Sequence, residues 1–184
     1  MALKATIHKA NLQIADMDRG LYVDHAVTIA RHPSETDERM MVRLLALAMY
    51  LPKDDHGGQL ELAKSLWDND EPDLWQKDLT GQVIHWIDIG QPDDRRILKA
   101  CGRAEQVTVI AYSQGTPIWW NGIAGKLARA KNLRVWQLPA EQSSALGRLA
   151  QRGMQLQVTV QDGAVWVSDD KQSVDIQLQA LQGR

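Results

Sequence analysis

The sequence has no phenylalanine, one cysteine among its 184 residues, and no long run of apolar residues. The single cysteine, Cys101, excludes an intramolecular disulfide, which is typical of proteins in a reducing compartment. A membrane-spanning helix needs about eighteen or more consecutive apolar residues, and the first residues lack the apolar core of a signal peptide. We therefore expect a soluble cytoplasmic protein that does not enter a membrane.

Tryptophan, which occurs seven times, must fill the large apolar sites that phenylalanine would otherwise occupy. Each buried indole then needs a partner for its N–H group. Hydrophobic residues make up 44% of the chain and charged residues 24%, which is the composition of a globular protein. This length predicts one domain over residues 1–184. The formal net charge of −2 disfavours neutralisation of a long nucleic acid, so any such contact would need a local basic patch.

Patterns in the first third of the chain predict a hairpin followed by a helix. Apolar and polar residues alternate over 3–14 and 21–30, and the turn 16–20 joins these two strands. A helix over 34–50 follows, with Ser34 as its N-cap, and Pro33 prevents an earlier start.

The remaining two thirds predict a mixed sheet with crossover helices. The β-α-β-α-β spacing in the middle implies parallel strands, and Asp162-Gly163 predicts a hairpin in an antiparallel C-terminal part. Pro92 is expected at the first position of a helix. The expected strands are 59–66, 74–79, 83–90, 106–112, 133–138, 154–161, 164–168 and 173–180; the other helices are 116–130 and 140–151.

Three acidic residues lie where a carboxylate needs a partner. Glu38 has helical spacing with Met41 of the apolar stripe. Asp88 ends a strand that is apolar on both faces, and Asp78 lies ten residues earlier on a neighbouring strand or turn. Because a buried carboxylate is costly unless it is paired, protonated or metal-bound, a magnesium site is one explanation. The alternative is a structural cluster of ion pairs with Arg31, Arg43 or Arg96.

The predicted order of elements, with these acids, resembles the αβββαβ core of the PD-(D/E)xK nucleases. The helix of that core carries a glutamate, its second strand an aspartate, and its third strand a (D/E)xK motif. Asp88-Ile89-Gly90 matches the last motif, with Gly90 in place of the usual lysine. The first acid of the motif is Asp78, or alternatively Asp73 of the literal Pro72-Asp73 pair.

Four parts of the chain also resemble the YaeQ family, which is associated with a compact version of this nuclease fold. The resemblance covers nearly the whole chain. The segments are Met-Ala-Leu-Lys-Ala-Thr-Ile at 1–7, Arg-His-Pro-Ser-Glu-Thr at 31–36, Trp-Ile-Asp-Ile-Gly at 86–90 with Pro-Asp-Asp-Arg-Arg-Ile at 92–97, and Val-Trp-Val-Ser-Asp-Asp-Lys at 165–171.

The nuclease resemblance implies a Mg²⁺-dependent phosphodiesterase that acts on DNA or RNA. The catalytic set would be Glu38, Asp78 and Asp88 as Mg²⁺ ligands and Arg96 as a phosphate clamp. The missing lysine supports a different function, a non-catalytic module that contacts nucleic acid or a protein partner, because an arginine cannot act as a base.

Overall fold

The computed structural model describes residues 4–64 and 70–183. The chain divides into two compact units. The first comprises the described residues of 1–49 and 141–177, and the second those of 50–140 and 178–184. In the described part of the chain, no helix is both long and apolar enough to cross a membrane.

Helices and strands mix along the whole described chain, as the sequence predicts. In order they are β1 Thr6–Asp16, β2 Leu21–Arg31, α1 Asp37–Tyr50, β3 Leu60–Leu62, β4 Leu74–Lys77, β5 Val83–Ile89, α2 Asp94–Arg103, β6 Ala104–Ala111, α3 Thr116–Leu127, β7 Leu133–Gln137, α4 Ala140–Gly147, β8 Gly153–Gln161, β9 Ala164–Ser168, β10 Ser173–Ile176 and β11 Gln179–Gln182.

The first unit contains a five-stranded mixed sheet in the order β10-β9-β8-β1-β2. The predicted N-terminal hairpin is confirmed, since β1 pairs antiparallel with β2 along all eleven residues of each strand. β1 also pairs in parallel with β8, which brings the N-terminal hairpin and the strands β8 to β10 into one sheet. The β8–β9 hairpin is confirmed as well: Asp162 and Gly163 have φ values of 52° and 79°, as a tight hairpin turn requires.

Helix α1 begins later than the sequence predicts, and its N-cap is Thr36 rather than Ser34. The Thr36 hydroxyl accepts the backbone N–H of Arg39 at 3.1 Å, which is the usual capping contact. Glu35, between the two hydroxyl residues, turns inward and pairs with Arg43 at 2.5 Å. This buried ion pair fixes the chain in a non-helical conformation before Thr36.

The second unit contains a six-stranded mixed sheet in the order β11-β7-β6-β5-β4-β3. The predicted parallel portion is confirmed, because β5, β6 and β7 are parallel neighbours. β3, β4 and β5 form an antiparallel meander beside them. One face of this sheet is covered by α2 and α3, whose Ile97, Ala100 and Leu127 are fully buried against it.

Other boundaries also differ from the sequence expectations. The strand expected at 173–180 is two strands, because β10 pairs with β9 in the first sheet and β11 with β7 in the second. Between them, the backbone N–H of Gln177 donates to Gln142 Oε1 at 2.8 Å and leaves the ladder. Asp93 is the N-cap of α2, so Pro92 precedes the helix instead of opening it. The strand expected at 59–66 is shortened to β3, although residues 65–66 lie outside the described part.

Candidate functional site

Asp88 lies at the carboxyl end of β5 and is only 3% exposed. Arg96 binds it with two hydrogen bonds, from Nε to Oδ2 at 2.9 Å and from Nη2 to Oδ1 at 3.0 Å. This parallel arrangement is the strong bidentate form of a carboxylate–guanidinium pair. The backbone N–H of Arg96 is itself bound by Asp93, the N-cap of α2, at 2.8 Å. The start of α2 therefore fixes the arginine against the strand end.

A second buried carboxylate, Asp73, lies beside Asp88. Asp73 directly precedes β4, whose first residue Leu74 pairs with Ile87 on β5. The Asp73 Oδ2 atom accepts the backbone N–H of Ile89 at 2.7 Å. Asp73 is 7% exposed, so both acids are withdrawn from solvent. The antiparallel β4–β5 pairing thus brings two aspartates fifteen positions apart in sequence to one strand end.

Burial raises the pKa of the Asp88 carboxyl, because the charged form loses hydration. The ion pair with Arg96 opposes this rise, and the negative charge of Asp73 adds to it. For Arg96, burial is the largest single effect and would lower the pKa, but the ion pair with Asp88, together with the charges of Asp73 and Asp93, raises it. The charges of Asp73, Asp88 and Arg96 are therefore coupled: the positive charge of Arg96 stabilises the Asp88 carboxylate, while the negative charge of Asp73 destabilises it.

Trp86 lies two residues before Asp88 on the same face of β5 and is 2% exposed. The Cζ atoms of Arg96 and Arg103 are 5.8 and 5.1 Å from the centre of its ring, so two cations contact one indole. The indole N–H lies close enough to lower the pKa of Asp88. Within the described residues, however, it forms no hydrogen bond. The expectation that every buried indole N–H has a partner is therefore wrong for Trp86.

Asp78 lies at the other end of the β4–β5 hairpin, in the turn that joins the two strands. Its Oδ1 atom accepts the Thr80 hydroxyl at 2.6 Å and the backbone N–H groups of Thr80 and Gln82 at 2.8 and 3.0 Å. The Thr80 hydroxyl lowers the pKa of Asp78, and the backbone N–H groups add to this effect. Asp78 thus closes the turn, whereas Asp73 is the acid that the hairpin brings to Asp88.

Glu38 belongs to the first unit, in the first turn of α1, and is half-buried. The Ser143 hydroxyl on α4 donates to Glu38 Oε1 at 2.5 Å. An added Cβ at Gly147, one turn later on α4, would lie 3.0 Å from the Glu38 Cα atom. Helix α4 therefore packs closely against the start of α1, and Glu38 binds across that contact.

Glu35 is the fully buried acid in this part of the sequence, and sequence reasoning missed it. Its carboxylate binds Arg43 at 2.5 and 3.0 Å and Arg39 at 2.8 Å. Arg43 is 2% exposed and also donates to the Ala30 carbonyl at 2.8 Å. The spacing of Glu35, Arg39 and Arg43 by four residues was the available signal, but it was hidden because Glu35 precedes the helix.

Gly90, which stands where the motif has lysine, has a φ of 111°. This conformation strains any residue with a Cβ atom, although nothing lies within 4 Å of that position. Its backbone N–H donates to the Ile110 carbonyl at 2.9 Å, which continues the pairing with β6. The backbone at the strand end therefore favours glycine over lysine.

Among residues 4–64 and 70–183, no group of three or more histidine, cysteine, aspartate or glutamate side chains is placed to hold a metal ion. Asp73 and Asp88 are instead a pair. Two carboxylates can still hold Mg²⁺, because this ion commonly keeps several waters and takes further ligands from phosphate.

These features define a mixed α/β protein with a buried aspartate pair and an arginine at the carboxyl end of a central strand. A family model described as YaeQ protein matches residues 1–178. The chain belongs to the YaeQ family, and the resemblance drawn from the sequence is confirmed.

Relatives and solved structures agree with this assignment. The YaeQ protein of Salmonella typhi is 46% identical over 183 residues, covering 99% of this chain and 98% of that protein. The YaeQ protein of Escherichia coli strain K12 is 44% identical with the same coverage. The crystal structure of YaeQ from Xanthomonas axonopodis pv. citri is 48% identical, with a TM-score of 0.91 and coverage of 98% and 99% of the two chains. The Pseudomonas syringae YaeQ structure is 37% identical, with a TM-score of 0.90 and coverage of 98% and 97%.

Proposed function

We propose that this YaeQ-family chain is a phosphodiesterase that acts on DNA or RNA and uses Mg²⁺ held by Asp73 and Asp88. The observation that carries the proposal is the pairing of these two buried carboxylates at one strand end. The element order α1-β3-β4-β5-α2-β6 supports it, because this is the αβββαβ order of the nuclease core that the sequence resembles. In this proposal Asp73 is the first acid of the motif, the role for which the sequence offered Asp78 with Asp73 as the alternative.

The residues of the site have separable roles in this proposal. Mg²⁺, when bound, supplies a positive charge that polarises a phosphoryl oxygen and makes a bound water more acidic. Asp73 and Asp88 hold the ion, and the hydrogen bond from Ile89 fixes the Asp73 carboxylate. Arg96 orients Asp88 and offers permanent positive charge to a phosphate, but it cannot accept a proton.

A non-catalytic module that binds nucleic acid is the second candidate. It is favoured by the bidentate Asp88–Arg96 pair, because that pair already balances the Asp88 charge without a metal ion. Gly90 favours it too, since its positive φ leaves no unstrained way to place the lysine that would assist cleavage. Such a module should bind nucleic acid with a salt-dependent affinity and without turnover.

Thermal unfolding with and without Mg²⁺ or Mn²⁺ tests the metal site. At a metal concentration near a hundred times Kd, we expect the wild-type Tm to rise by roughly 5 to 10 °C. Asp73→Asn and Asp88→Asn should abolish this rise. Asp78→Asn is the matched control, because it removes the same charge from the same hairpin while keeping an oxygen for the turn.

Nicking of plasmid DNA and cleavage of structured RNA then separate the two candidate functions. A phosphodiesterase needs added metal and loses activity in Asp88→Asn. If Glu38 is also a Mg²⁺ ligand, as the sequence predicts, Glu38→Ala should lose activity too. An unchanged wild-type Tm would refute the metal site. Loss of the Tm rise in Asp78→Asn, with the rise retained in Asp73→Asn, would transfer the ligand role to Asp78. Binding without cleavage would select the non-catalytic module.

A further inference from the structure

A cavity of about 300 Å³ opens over the first turns of α2, and Arg96, which binds Asp88 of the aspartate pair, lines it. This volume is at the lower end of the range for small-ligand sites. Among the described residues, three cationic side chains and one acid line it, together with Trp86 and Ala100. The charged lining residues are Asp93, Arg95, Arg96 and Lys99.

Asp93, the acid among the described lining residues, is already engaged. Asp93 Oδ1 accepts the backbone N–H of Arg96 as the N-cap of α2. Arg96 is held by Asp88, so it is a fixed positive charge on the wall of the cavity rather than a mobile one. The cavity is therefore rich in positive charge and suits an anion.

The other two cations are available to a ligand. Arg95 is exposed and, within residues 4–64 and 70–183, forms no hydrogen bond or ion pair. Lys99 pairs with Asp70 at 2.8 Å, but both side chains are more than half exposed. Such surface pairs contribute only about 0.2–1 kcal/mol. Arg95 and Lys99 are four residues apart on one helix, so both can reach one anion.

The chemistry of the lining favours phosphate over a nucleobase. Arginine binds the oxygens of a phosphate in a bidentate manner, and lysine adds a point charge. Trp86 is only 2% exposed, so a base has no aromatic surface there on which to stack. A site of this kind contacts the backbone of a nucleic acid without reading its sequence.

We propose that the cavity lined by Arg95, Arg96 and Lys99 binds a backbone phosphate of a nucleic acid strand, next to the phosphate at the aspartate pair. The identity of the ligand as nucleic acid rests on the proposed function. The site itself needs no metal. The cavity would hold one backbone phosphate in addition to the phosphate at the Asp73–Asp88 pair and so position the strand.

The test measures binding of a short single-stranded oligonucleotide of mixed sequence by fluorescence anisotropy in EDTA. The variant carries Arg95→Gln and Lys99→Gln, and the control carries Arg129→Gln and Lys131→Gln, which removes the same charge from other exposed positions. We expect the first variant to weaken binding at least roughly tenfold, because charge-assisted hydrogen bonds are lost. The slope of log affinity against log salt should fall by about 0.7, the value for one phosphate on a single strand.

Inorganic phosphate alone is the second probe. Its binding is monitored by the NMR chemical shifts of the backbone amides of residues 93–100. Shifts that disappear in the Arg95→Gln, Lys99→Gln variant support the site. If phosphate shifts these amides but the variant binds the oligonucleotide as tightly as the control does, the site holds free phosphate and the nucleic-acid assignment is overturned. If neither probe distinguishes variant from control, the phosphate site is overturned. Since both measurements are made without metal, they do not depend on the Asp73–Asp88 metal site.

Discussion

Replacing Arg43 by methionine should destabilise the protein strongly, because it removes the main partner of the buried Glu35 carboxylate. The two side chains are 2% and 3% exposed. The change removes two hydrogen bonds to Glu35 and one to the Ala30 carbonyl, while the volume of the side chain is nearly kept. Breaking one partner of a buried ion pair costs about 3–5 kcal/mol. Because Arg39 still contacts Glu35, we expect the lower end of that range, about 3 kcal/mol.

The double variant Glu35→Met, Arg43→Met provides the decisive comparison. Removing both charges restores an apolar site, so the double variant should recover at least about half of the loss, which is roughly 1.5 kcal/mol. Urea unfolding followed by tryptophan fluorescence measures both values, provided that the m-value is unchanged. Arg129→Met, at an exposed position, should stay within about 0.5 kcal/mol of wild type.

A cost below about 1 kcal/mol for Arg43→Met would refute this reasoning, since a buried carboxylate that loses its main partner should cost more than that. The reasoning also fails if the double variant is no more stable than Arg43→Met. In that case the loss would come from the packing of the arginine stem or from the Ala30 contact rather than from the Glu35 carboxylate.

Two further predictions concern the second unit. Gly90→Lys should cost roughly 1–3 kcal/mol in unfolding free energy, because φ is 111° there and strains a residue with a Cβ atom. As a control, Gly102→Ala, inside α2, should be neutral or stabilising. Equal effects of the two substitutions would contradict the attribution of the cost to the positive φ of Gly90. Burial lowers the pKa of His85 to about 4, with Arg134 adding to the shift, from an unfolded value near 6.5. Stability should therefore fall as pH drops from 6.5 towards 4, by up to about 3 kcal/mol, and His85→Gln should flatten this dependence in urea titrations; an unchanged slope would count against it.

Local signals in the sequence were sufficient for the elements that depend on neighbouring residues. The β1–β2 hairpin follows from strict alternation, and the Asp162-Gly163 turn follows from the need for positive φ. The predicted start of α1 was wrong because both Ser34 and Thr36 are residues that commonly serve as helix N-caps. The choice between them depends on the buried Glu35–Arg43 pair, which helical periodicity does not reveal.

The aspartate pair shows where reasoning from the sequence stops. The sequence favoured Asp78 as the first acid of the motif and left Asp73 as the alternative, because the register of the β4–β5 hairpin was unknown. The turn Asp78-Leu79-Thr80-Gly81 was a partial signal: counting outward from it along both strands places Asp73, and not Asp78, near the carboxyl end of β5. The register shift between Gln76 and Lys77, which the sequence does not reveal, then sets Asp73 beside Asp88. The split between β10 and β11 carried no such signal, since residues 173–180 alternate without a break in the sequence and only tertiary pairing assigns the two strands to different sheets.

The conformation of Gly90 has a consequence for protein engineering. A designer who wished to add a general base to this strand end could not simply insert the missing amine at that position, since the chain would first have to be reshaped there. A more practical position for such a group is Gln91, whose exposed side chain already donates a hydrogen bond to the Ser113 hydroxyl in the loop that follows the neighbouring strand β6.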